Sequence, residues 1–432
     1  MITSLSGIRG IPNKDLGLTD ALRFASKFAA AVESREFLVA RDTRSTGPAL
    51  VRAVVAGLMS RGGVVHDYGI ISTPALFRAS RLKELPAVMV TASHNEPEFN
   101  GLKFLIGGSG IGTEVFGKIV DGEGPQSGEI PQGNLRSAAR PTYEDDLLER
   151  FGAGSFQGVK VALDLGGGAA IVHAVPLLRR LGCDVSSVND TLGVFNRRVD
   201  PVADELALLT KVTKGKGCDI GLGFDCDGDR LVIVDSDGKK RTGDFMLTLA
   251  LAEALRETGD KRVVVSLDTT QAIEEVAKKS GAVVYRSKVG EANLVNAMKE
   301  NRARLGGEGS SGGLVDGSFN YCRDSMMAAL LIMRALKREG RKFYVSVPAY
   351  RQERVATQIP RKKAENAIRR IAKSYGGDTT DGVKVELPGR SWVLIRPSGT
   401  EDLVRVSAEA PSSAKAAQIV RTFSRKLREL SR

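Results

Sequence analysis

Nowhere in these 432 residues is there a run approaching the ~20 apolar residues that a membrane-spanning helix needs, so no membrane span is expected. Cysteine is scarce. The four, Cys183, Cys218, Cys226 and Cys322, form no C-x-x-C pair, which argues against a zinc site and a disulfide framework. A reducing cytoplasm is the simplest expected setting. Residues 1–20 already carry polar and turn residues, and no secretory signal is expected there. Aromatics make up only 5% of the chain, and it shows no helix-turn-helix, zinc finger or basic block with interleaved aromatics. Nucleic-acid binding is therefore not expected. The net charge of +12 can equally steer an anionic ligand into a cleft. Arg361-Lys-Lys363 and Arg425-Lys-Leu-Arg428 read as solvated helix faces.

What is present is the balance of a globular protein, with 42% hydrophobic and 26% charged residues. Its length points to roughly three domains. The recurring pattern is strand, loop, helix. Glu36–Ala40 reads as a strand, Arg41-Asp-Thr-Arg44 as a turn with Arg–Asp pairing, and Leu50, Val54, Val55 and Leu58 as one face of a helix. Four units are expected: 1–138, 139–240, 241–342 and 343–432. The first three read as α/β. The fourth, with strands near Val383–Val385 and Trp392–Ile395 and a helix over Lys363–Tyr375, reads as α+β. Gly122–Arg140 reads as a linker. Leu231–Lys239 reads as a hairpin turning at Asp237-Gly238 in a type I′ turn. The loop Asp164-Leu-Gly-Gly-Gly-Ala-Ala170 hints at a dinucleotide fingerprint, but Ile171 occupies the slot of the third glycine.

Thr91-Ala-Ser-His-Asn95 carries the most information. It follows the apolar run Ala87–Val90 and opens a charged, turn-rich loop ending at Lys103. A serine at the carboxyl end of a strand in an α/β sheet stands where such folds bind ligands. Capping of a following helix is the alternative for a loop serine.

Asp225-Cys-Asp-Gly-Asp-Arg230 also follows a strand. Its three carboxylates at alternate positions would fall on one side of an extended segment and repel one another unless a cation intervenes. All-oxygen ligation suits Mg²⁺. An EF-hand calcium loop does not fit, because Arg230 stands where that loop needs Gly and Ser236 where it needs Glu. Arg396-Pro-Ser-Gly-Thr-Glu401 offers a guanidinium fork and an anion nest for phosphate through Arg396, Ser398, Gly399 and Thr400. A Pro-Gly turn with a surface arginine reads equally well. Gly306-Gly-Glu-Gly-Ser-Ser-Gly-Gly313 presents Glu308 and Ser310 among glycines, a composition suited to sugar hydroxyls or to a linker. Ser6-Gly-Ile-Arg-Gly10 places Arg9 in a glycine-flanked turn. Together the serine loop and the three downstream motifs point to phosphoryl transfer.

In this order, the motifs resemble those of the α-D-phosphohexomutase family over nearly the whole chain: Ser6–Gly10 its arginine loop, Thr91–Asn95 its phosphoserine loop, Asp225–Arg230 its metal loop, Gly307–Gly312 its sugar loop and Arg396–Glu401 its phosphate loop. The resemblance implies three mixed-sheet α/β domains and a C-terminal α+β domain like the TATA-box-binding protein, around a central cleft. It implies that Ser93 carries a phosphoryl group and that Asp225, Asp227 and Asp229, with a phosphoserine oxygen, hold Mg²⁺. A hexose 1-phosphate and 6-phosphate would interconvert through a hexose 1,6-bisphosphate. Arg9 and Lys103 would transfer a proton or stabilise charge, with base work requiring a lowered pKa. His94 and Arg230 would support the loop and the transferring phosphate. Glu308 and Ser310 would hold sugar hydroxyls, Arg396, Ser398, Gly399 and Thr400 the other phosphate, and Lys288 would add a substrate contact.

The chain departs from that pattern at Thr3-Ser-Leu5 and at Cys226, and in the sugar loop at Ser311 and Gly312, which leaves the sugar open among glucosamine, mannose and glucose phosphates; Ser6-Gly-Ile-Arg-Gly10 leans toward phosphoglucosamine. A monomer or homodimer is expected. The competing readings are a non-catalytic phosphosugar- or nucleic-acid-binding protein on the same scaffold, and a phosphatase.

Overall fold

The computed structural model describes residues 1–122, 131–348, 350–398 and 403–431. Three stretches of the chain repeat one plan: a central strand with a parallel neighbour on each side, the later neighbour turning back into an antiparallel partner. In the first, Glu36–Arg41 lies parallel to Val64–Ile70 and Ala87–Val90, and Ala87–Val90 pairs antiparallel with Asn100–Ile106. In the second, Lys160–Asp164 lies between Asp184–Val188 and Ile220–Phe224, and Ile220–Phe224 turns back into Leu231–Asp235. In the third, Arg262–Ser266 lies between Val283–Ser287 and Leu305–Glu308, and Leu305–Glu308 turns back into Gly313–Asp316. Residues 91–99, 225–230 and 309–312 therefore occupy one equivalent position, at the carboxyl end of a parallel strand, where open α/β sheets bind ligands.

The local sequence explains these elements. Ala87-Val-Met-Val90 is apolar throughout because all four side chains are buried in the interior of a sheet covered on both faces. Leu50, Val54, Val55 and Leu58 are the buried face of the helix Gly47–Met59, which has Pro48 in its first turn. One apolar cluster runs from Leu38 and Met89 through Leu163 and Ile233 to Leu330, joining the three α/β units into a common core.

The C-terminal unit differs. Its sheet is antiparallel, in the order Arg351–Gln358, Leu403–Ala410, Ser391–Pro397, Val383–Leu387. The helices Arg361–Tyr375 and Ser413–Leu430 pack on it around a separate core that includes Ile368, Val393 and Phe423. Trp392 and Leu394 meet Leu267 of the third unit in a small apolar contact of their own. Arg361, Lys362, Lys363, Arg425 and Arg428 are exposed, as expected of solvated faces, and Lys426 is half-buried.

Several expectations need correction. Gly7–Gly10 is a strand between Ile2–Ser4 and Asn100–Ile106, not a turn; its glycines let it lie in the sheet without side-chain bulk. Within 122–140, Asn134–Ser137 pairs with Val64–Ile70 as an edge strand. All four of its residues are exposed, so no alternation marked it. The rest of that supposed linker includes 123–130, outside the described residues. At 235–238 only Gly238 has positive φ, so the turn is not type I′; the Gly238 N–H donates to the Asp235 carbonyl. Gly340–Val345 is a 3-10 turn whose Phe343 and Tyr344 join the common core, and the C-terminal sheet begins at Arg351. No helix among the described residues is long and apolar enough to cross a membrane.

Candidate active site

Ser93 is buried and left-handed, with φ of 50°. A non-glycine residue held there needs surrounding structure to fix it. The Ser93 N–H donates to Thr91 Oγ1 at 2.8 Å, and Thr91 Oγ1 donates to Asp42 Oδ2 at 2.6 Å. Arg44, fully buried, pairs with the same Asp42 at 3.1 Å. Its guanidinium donates to the carbonyls of Ser93, Asn95, Glu96 and Phe99 at 2.6–2.9 Å. The Arg–Asp pairing read at Arg41–Arg44 is present at Arg44, but the arginine also holds the whole serine loop.

Across the interface between the first two units, Ser93 Oγ donates to Asp225 Oδ2 at 3.1 Å. Asp225, Asp227 and Asp229 are all fully buried, and one oxygen from each lies within 4.8 Å of the others. A turn brings them together rather than the extended segment expected from their spacing. Asp225 Oδ1 closes that turn by accepting from the N–H groups of Asp229 and Arg230 at 3.1 and 3.2 Å. The Gly166-Gly-Gly168 run is explained here. A Cβ on Gly168 would come within 2.7 Å of the Asp225 and Cys226 carbonyls, so glycine allows this loop to press against the turn Asp225–Arg230. It is not a nucleotide fingerprint.

Oδ1 of Asp227 and Oδ1 of Asp229 are buried with no hydrogen-bond partner. Asp227 spends Oδ2 on the hydroxyl of Thr73 at 2.5 Å, while Asp229 Oδ2 meets Arg323 at 2.8 Å. Two orphaned carboxylate oxygens beside a third carboxylate are what a hard divalent cation satisfies, so the residues fit magnesium. Burial, followed by repulsion from Asp227 and Asp229, pushes Asp225 well above the usual carboxylate range. Burial and Asp229 also push Asp227 up. Asp229 goes the other way: burial opposes its charge, but Arg323, Lys103 and Arg230 outweigh it.

A ring of cations surrounds this centre. Arg9 donates to Asn95 Oδ1 at 2.8 Å, and burial lowers its pKa against the pull of Asp227. Lys103 Nζ lies 2.9 Å from Glu291 Oε1 and 4.0 Å from Asp229 Oδ2. Burial works against its charge, yet Glu291 and Asp229 hold its pKa above the ordinary value, so Lys103 stays protonated. The lowered pKa that base work requires is absent at Lys103. Burial, together with Arg230, Arg9 and Arg323, pushes His94 down to about 2, so its ring is neutral, with a buried Nδ1 that has no partner. Arg230 pairs with Asp200 at 3.2 Å, and its Nε is buried without a partner.

Glu308 ends the strand Leu305–Glu308 and is buried. Its Oε1 accepts from the Gly290 N–H at 2.6 Å, and its Oε2 lies 3.4 Å from Arg323 Nη1. Ser310 is half-buried in the 3-10 turn Gly309–Ser311. Lys288 is exposed, on the loop leading to Gly290. Arg396 lies near the end of the strand Ser391–Pro397, 3.8 Å from Asp381, and Ser398 follows, buried, its N–H donating to the Leu403 carbonyl at 2.8 Å. Gly399, Thr400 and Glu401 lie outside the described residues. A cavity of about 430 Å³ opens beside Ser310 and is lined also by Arg241, Phe245 and Arg354; Ser93 and the aspartates are not in its wall.

Sequence reasoning missed Arg323, Glu291, Arg44 and Thr73. Arg323 bridges Asp229, Glu291 and Glu308, tying the Asp225–Arg230 turn to the end of the strand Leu305–Glu308. Its only sequence signal was a charged pair, Arg323-Asp324, directly before a long apolar helix.

Comparison with known proteins bears on the whole of this arrangement. Four family models match in succession, phosphoglucomutase/phosphomannomutase alpha/beta/alpha domains I, II and III over residues 2–122, 141–238 and 242–351, and the C-terminal domain over 353–426. The chain belongs to the phosphoglucomutase/phosphomannomutase family. It is 32% identical to a phosphoglucomutase/phosphomannomutase of Thermococcus kodakarensis over 95% of this chain and 94% of that one. It is also 32% identical to a phosphoglucosamine mutase of a Thermotoga species, over 98% of each chain. Among solved structures, a family protein from Burkholderia thailandensis matches with a TM-score of 0.84 and 27% identity, covering 99% of this chain and 98% of that one. The N-acetylphosphoglucosamine mutase of Aspergillus fumigatus, solved with GlcNAc-6P and magnesium, shares the fold at 18% identity and a TM-score of 0.57, over 92% of this chain and 83% of that one.

Proposed function

We propose that this phosphohexomutase-family member interconverts hexose 1-phosphates and 6-phosphates through a phosphorylated Ser93. The observation that carries the reading is Ser93 Oγ, 3.1 Å from Asp225, in a carboxylate cluster whose Asp229 is faced by Lys103, Arg230 and Arg323 from three units of the chain. Asp225, Asp227 and Asp229, with an oxygen at Ser93, would hold magnesium, which when bound withdraws charge from the phosphoryl group.

The phosphoryl group passes from Ser93 to the free hydroxyl of a hexose monophosphate. The P–Oγ bond breaks as the P–O bond to the sugar forms; the sugar hydroxyl gives up its proton and Ser93 Oγ gains one. The product is a hexose 1,6-bisphosphate, which turns over in the site and returns its other phosphate to Ser93. Lys103, kept protonated by Glu291, stabilises the charge that develops on the transferring phosphoryl group, with Arg9 beside the Asn95 end of the loop. The proton lost by the sugar hydroxyl is in net the one Ser93 Oγ gains. Neutral His94 and the guanidinium of Arg230 support the transferring group. Glu308 and Ser310 take sugar hydroxyls, Lys288 adds a contact at the edge, and Arg396, Ser398, Gly399 and Thr400 take the non-reacting phosphate.

Names of relatives support a lean to glucosamine phosphate, with mannose and glucose phosphates as the alternatives. The reading keeps a cytoplasmic enzyme, monomer or homodimer, and the four cysteines are buried and unpaired. Its test is turnover of the three hexose phosphates, each primed with its 1,6-bisphosphate, by wild type and Ser93→Ala. Interconversion by wild type that Ser93→Ala lacks is the expected result; no turnover of any of them by phosphorylated, magnesium-loaded wild type overturns it.

A further inference from the structure

Arg396 does not stand alone at the edge of the C-terminal sheet. The turn before the strand Val383–Leu387 is closed by paired hydrogen bonds between Asp378 and Lys384, at 2.9 and 2.8 Å. Gly382, with φ of 82°, brings this turn hard against the next strand: a Cβ there would meet the Ile395 carbonyl oxygen at 2.2 Å and the Arg396 Cα at 2.7 Å. No larger residue fits that approach, and it delivers Asp381 to the side of Arg396.

Asp381 faces two ways. One carboxylate oxygen lies 3.8 Å from Arg396 Nη1 and accepts from the Val289 N–H, in the third unit, at 3.1 Å. The next N–H along, Gly290, donates to Glu308 at 2.6 Å. From Glu308 the contacts continue through Arg323 to Asp229 at 2.8 Å, and through Glu291 to Lys103 at 2.9 Å. Two consecutive backbone N–H groups thus receive one carboxylate from the C-terminal unit and one from the sugar loop, on a strap three residues long.

We infer that Asp381 is a positioning residue that couples the Arg396 end of the site to the sugar loop through the Val289–Gly290 backbone. The Arg396 side chain is 17% exposed, and the carboxylate beside it biases the orientation of its guanidinium without closing the fork, because at 3.8 Å the pair is too long for a tight bidentate lock. An arriving phosphate takes the guanidinium in the orientation Asp381 has selected, and the same carboxylate keeps the C-terminal unit against the strap that holds Glu308. Leu267, Trp392 and Leu394 form a small buried apolar contact between these units. Polar ties flank it: Gln271 to Glu409, Arg354 to Asp244, and Asp381 to the Val289 N–H, the last being the one beside Arg396. The inference rests on the proposed phosphate role of Arg396 for its kinetic part only.

The experiment compares wild type, Asp381→Ala and Asp381→Asn by two readouts. Hydrogen exchange at the Val289 and Gly290 amides, followed by mass spectrometry on the full chain without ligand, reports the tie itself. Turnover of glucose 1-phosphate primed with glucose 1,6-bisphosphate reports KM and kcat. Asp381→Ala is expected to speed exchange across 288–291 and to raise KM about tenfold, the loss of one hydrogen bond to a charged group, with kcat falling less. Asp381→Asn keeps an acceptor for Val289, so it should restore slow exchange and bring KM back to within about threefold of wild type. Unchanged exchange in Asp381→Ala overturns the tie. Faster exchange with unchanged KM overturns the coupling to Arg396. A wild type inactive on every hexose phosphate would remove the mutase reading, and the exchange data would still decide whether Asp381 holds the strap.

Discussion

Arg44 Nη2 lies 2.7 Å from the carbonyl oxygen of Ser93, and the same guanidinium holds three more carbonyls of the loop. The serine loop has no regular secondary structure of its own to satisfy these groups. One buried cation, neutralised by Asp42, does so instead and fixes the left-handed turn that aims Ser93 Oγ at Asp225.

Arg44→Lys should therefore be far from conservative. An ammonium cannot reach four carbonyls from the plane of a guanidinium, and buried acceptors left unsatisfied cost roughly 1–3 kcal/mol each, without simple additivity. Denaturant melts should show a loss of at least about 1–3 kcal/mol, from carbonyls the ammonium leaves unsatisfied, and phosphorylation of Ser93 should be impaired. A variant as stable as wild type with full Ser93 phosphorylation would mean that the loop is held by something else.

Magnesium affinity should rise with pH. In the metal-free protein the pKa values of Asp225 and Asp227 are raised, chiefly by burial, so at acidic pH these carboxylates bind protons that a cation must displace. Calorimetric titration with Mg²⁺ in two buffers of different ionisation enthalpy should reveal proton release, with affinity rising up to about tenfold per pH unit for each proton displaced. Asp227→Asn should weaken binding. Pairing-independent affinity, flat across pH, would contradict this account of the two orphaned oxygens.

Buried parallel strands were legible in the sequence where apolar side chains fill them, but Leu305–Glu308, equally buried, read as a glycine loop because Gly306 and Gly307 carry no side chain to mark burial. Ala87–Val90 and Ile220–Phe224 are continuous apolar or glycine runs ending at a polar loop, and that boundary is where Ser93 and Asp225 stand. Asn134–Ser137 was invisible because an exposed edge strand has no buried face to impose a period. Arg323 and Glu291 were invisible for another reason. Their meaning lies in partners remote in sequence, Asp229, Lys103 and Glu308, and no local spacing encodes such contacts. The directions of the pKa shifts at Lys103 and His94 were equally beyond reach, since each depends on which charges the fold gathers around the group.

Arg323→Met should separate folding from chemistry. Methionine fills much of the same volume but leaves Asp229, Glu291 and Glu308 without their shared cation. Removal of one preorganised cation from a buried site lowers kcat by about 10²–10³-fold in comparable cases. The variant should keep its far-UV circular dichroism and lose most of its turnover. Activity within a few-fold of wild type would remove Arg323 from the functional network.

Lys384 ties the stability of the C-terminal unit to pH. It is buried over the ring of Trp392, its Nζ 4.6 Å from the centroid, with Glu386 at 3.9 Å. Burial, reinforced by Arg286, lowers its pKa to about 8. Below about pH 8 the amine is charged both folded and unfolded, and the full penalty for burying it is present. Between there and its unfolded pKa near 10.4 the unfolded chain binds more protons, so stability rises with pH. Lys384→Met should therefore stabilise the C-terminal unit at pH 7 by up to about 3 kcal/mol, less what the cation–π contact contributed, with the advantage fading toward pH 10. Trp392 is the only tryptophan in the chain and is fully buried, so its fluorescence during urea unfolding reads this unit directly. A midpoint at pH 7 that is unchanged or lower in Lys384→Met would mean that the ring and Glu386 already compensate the buried charge.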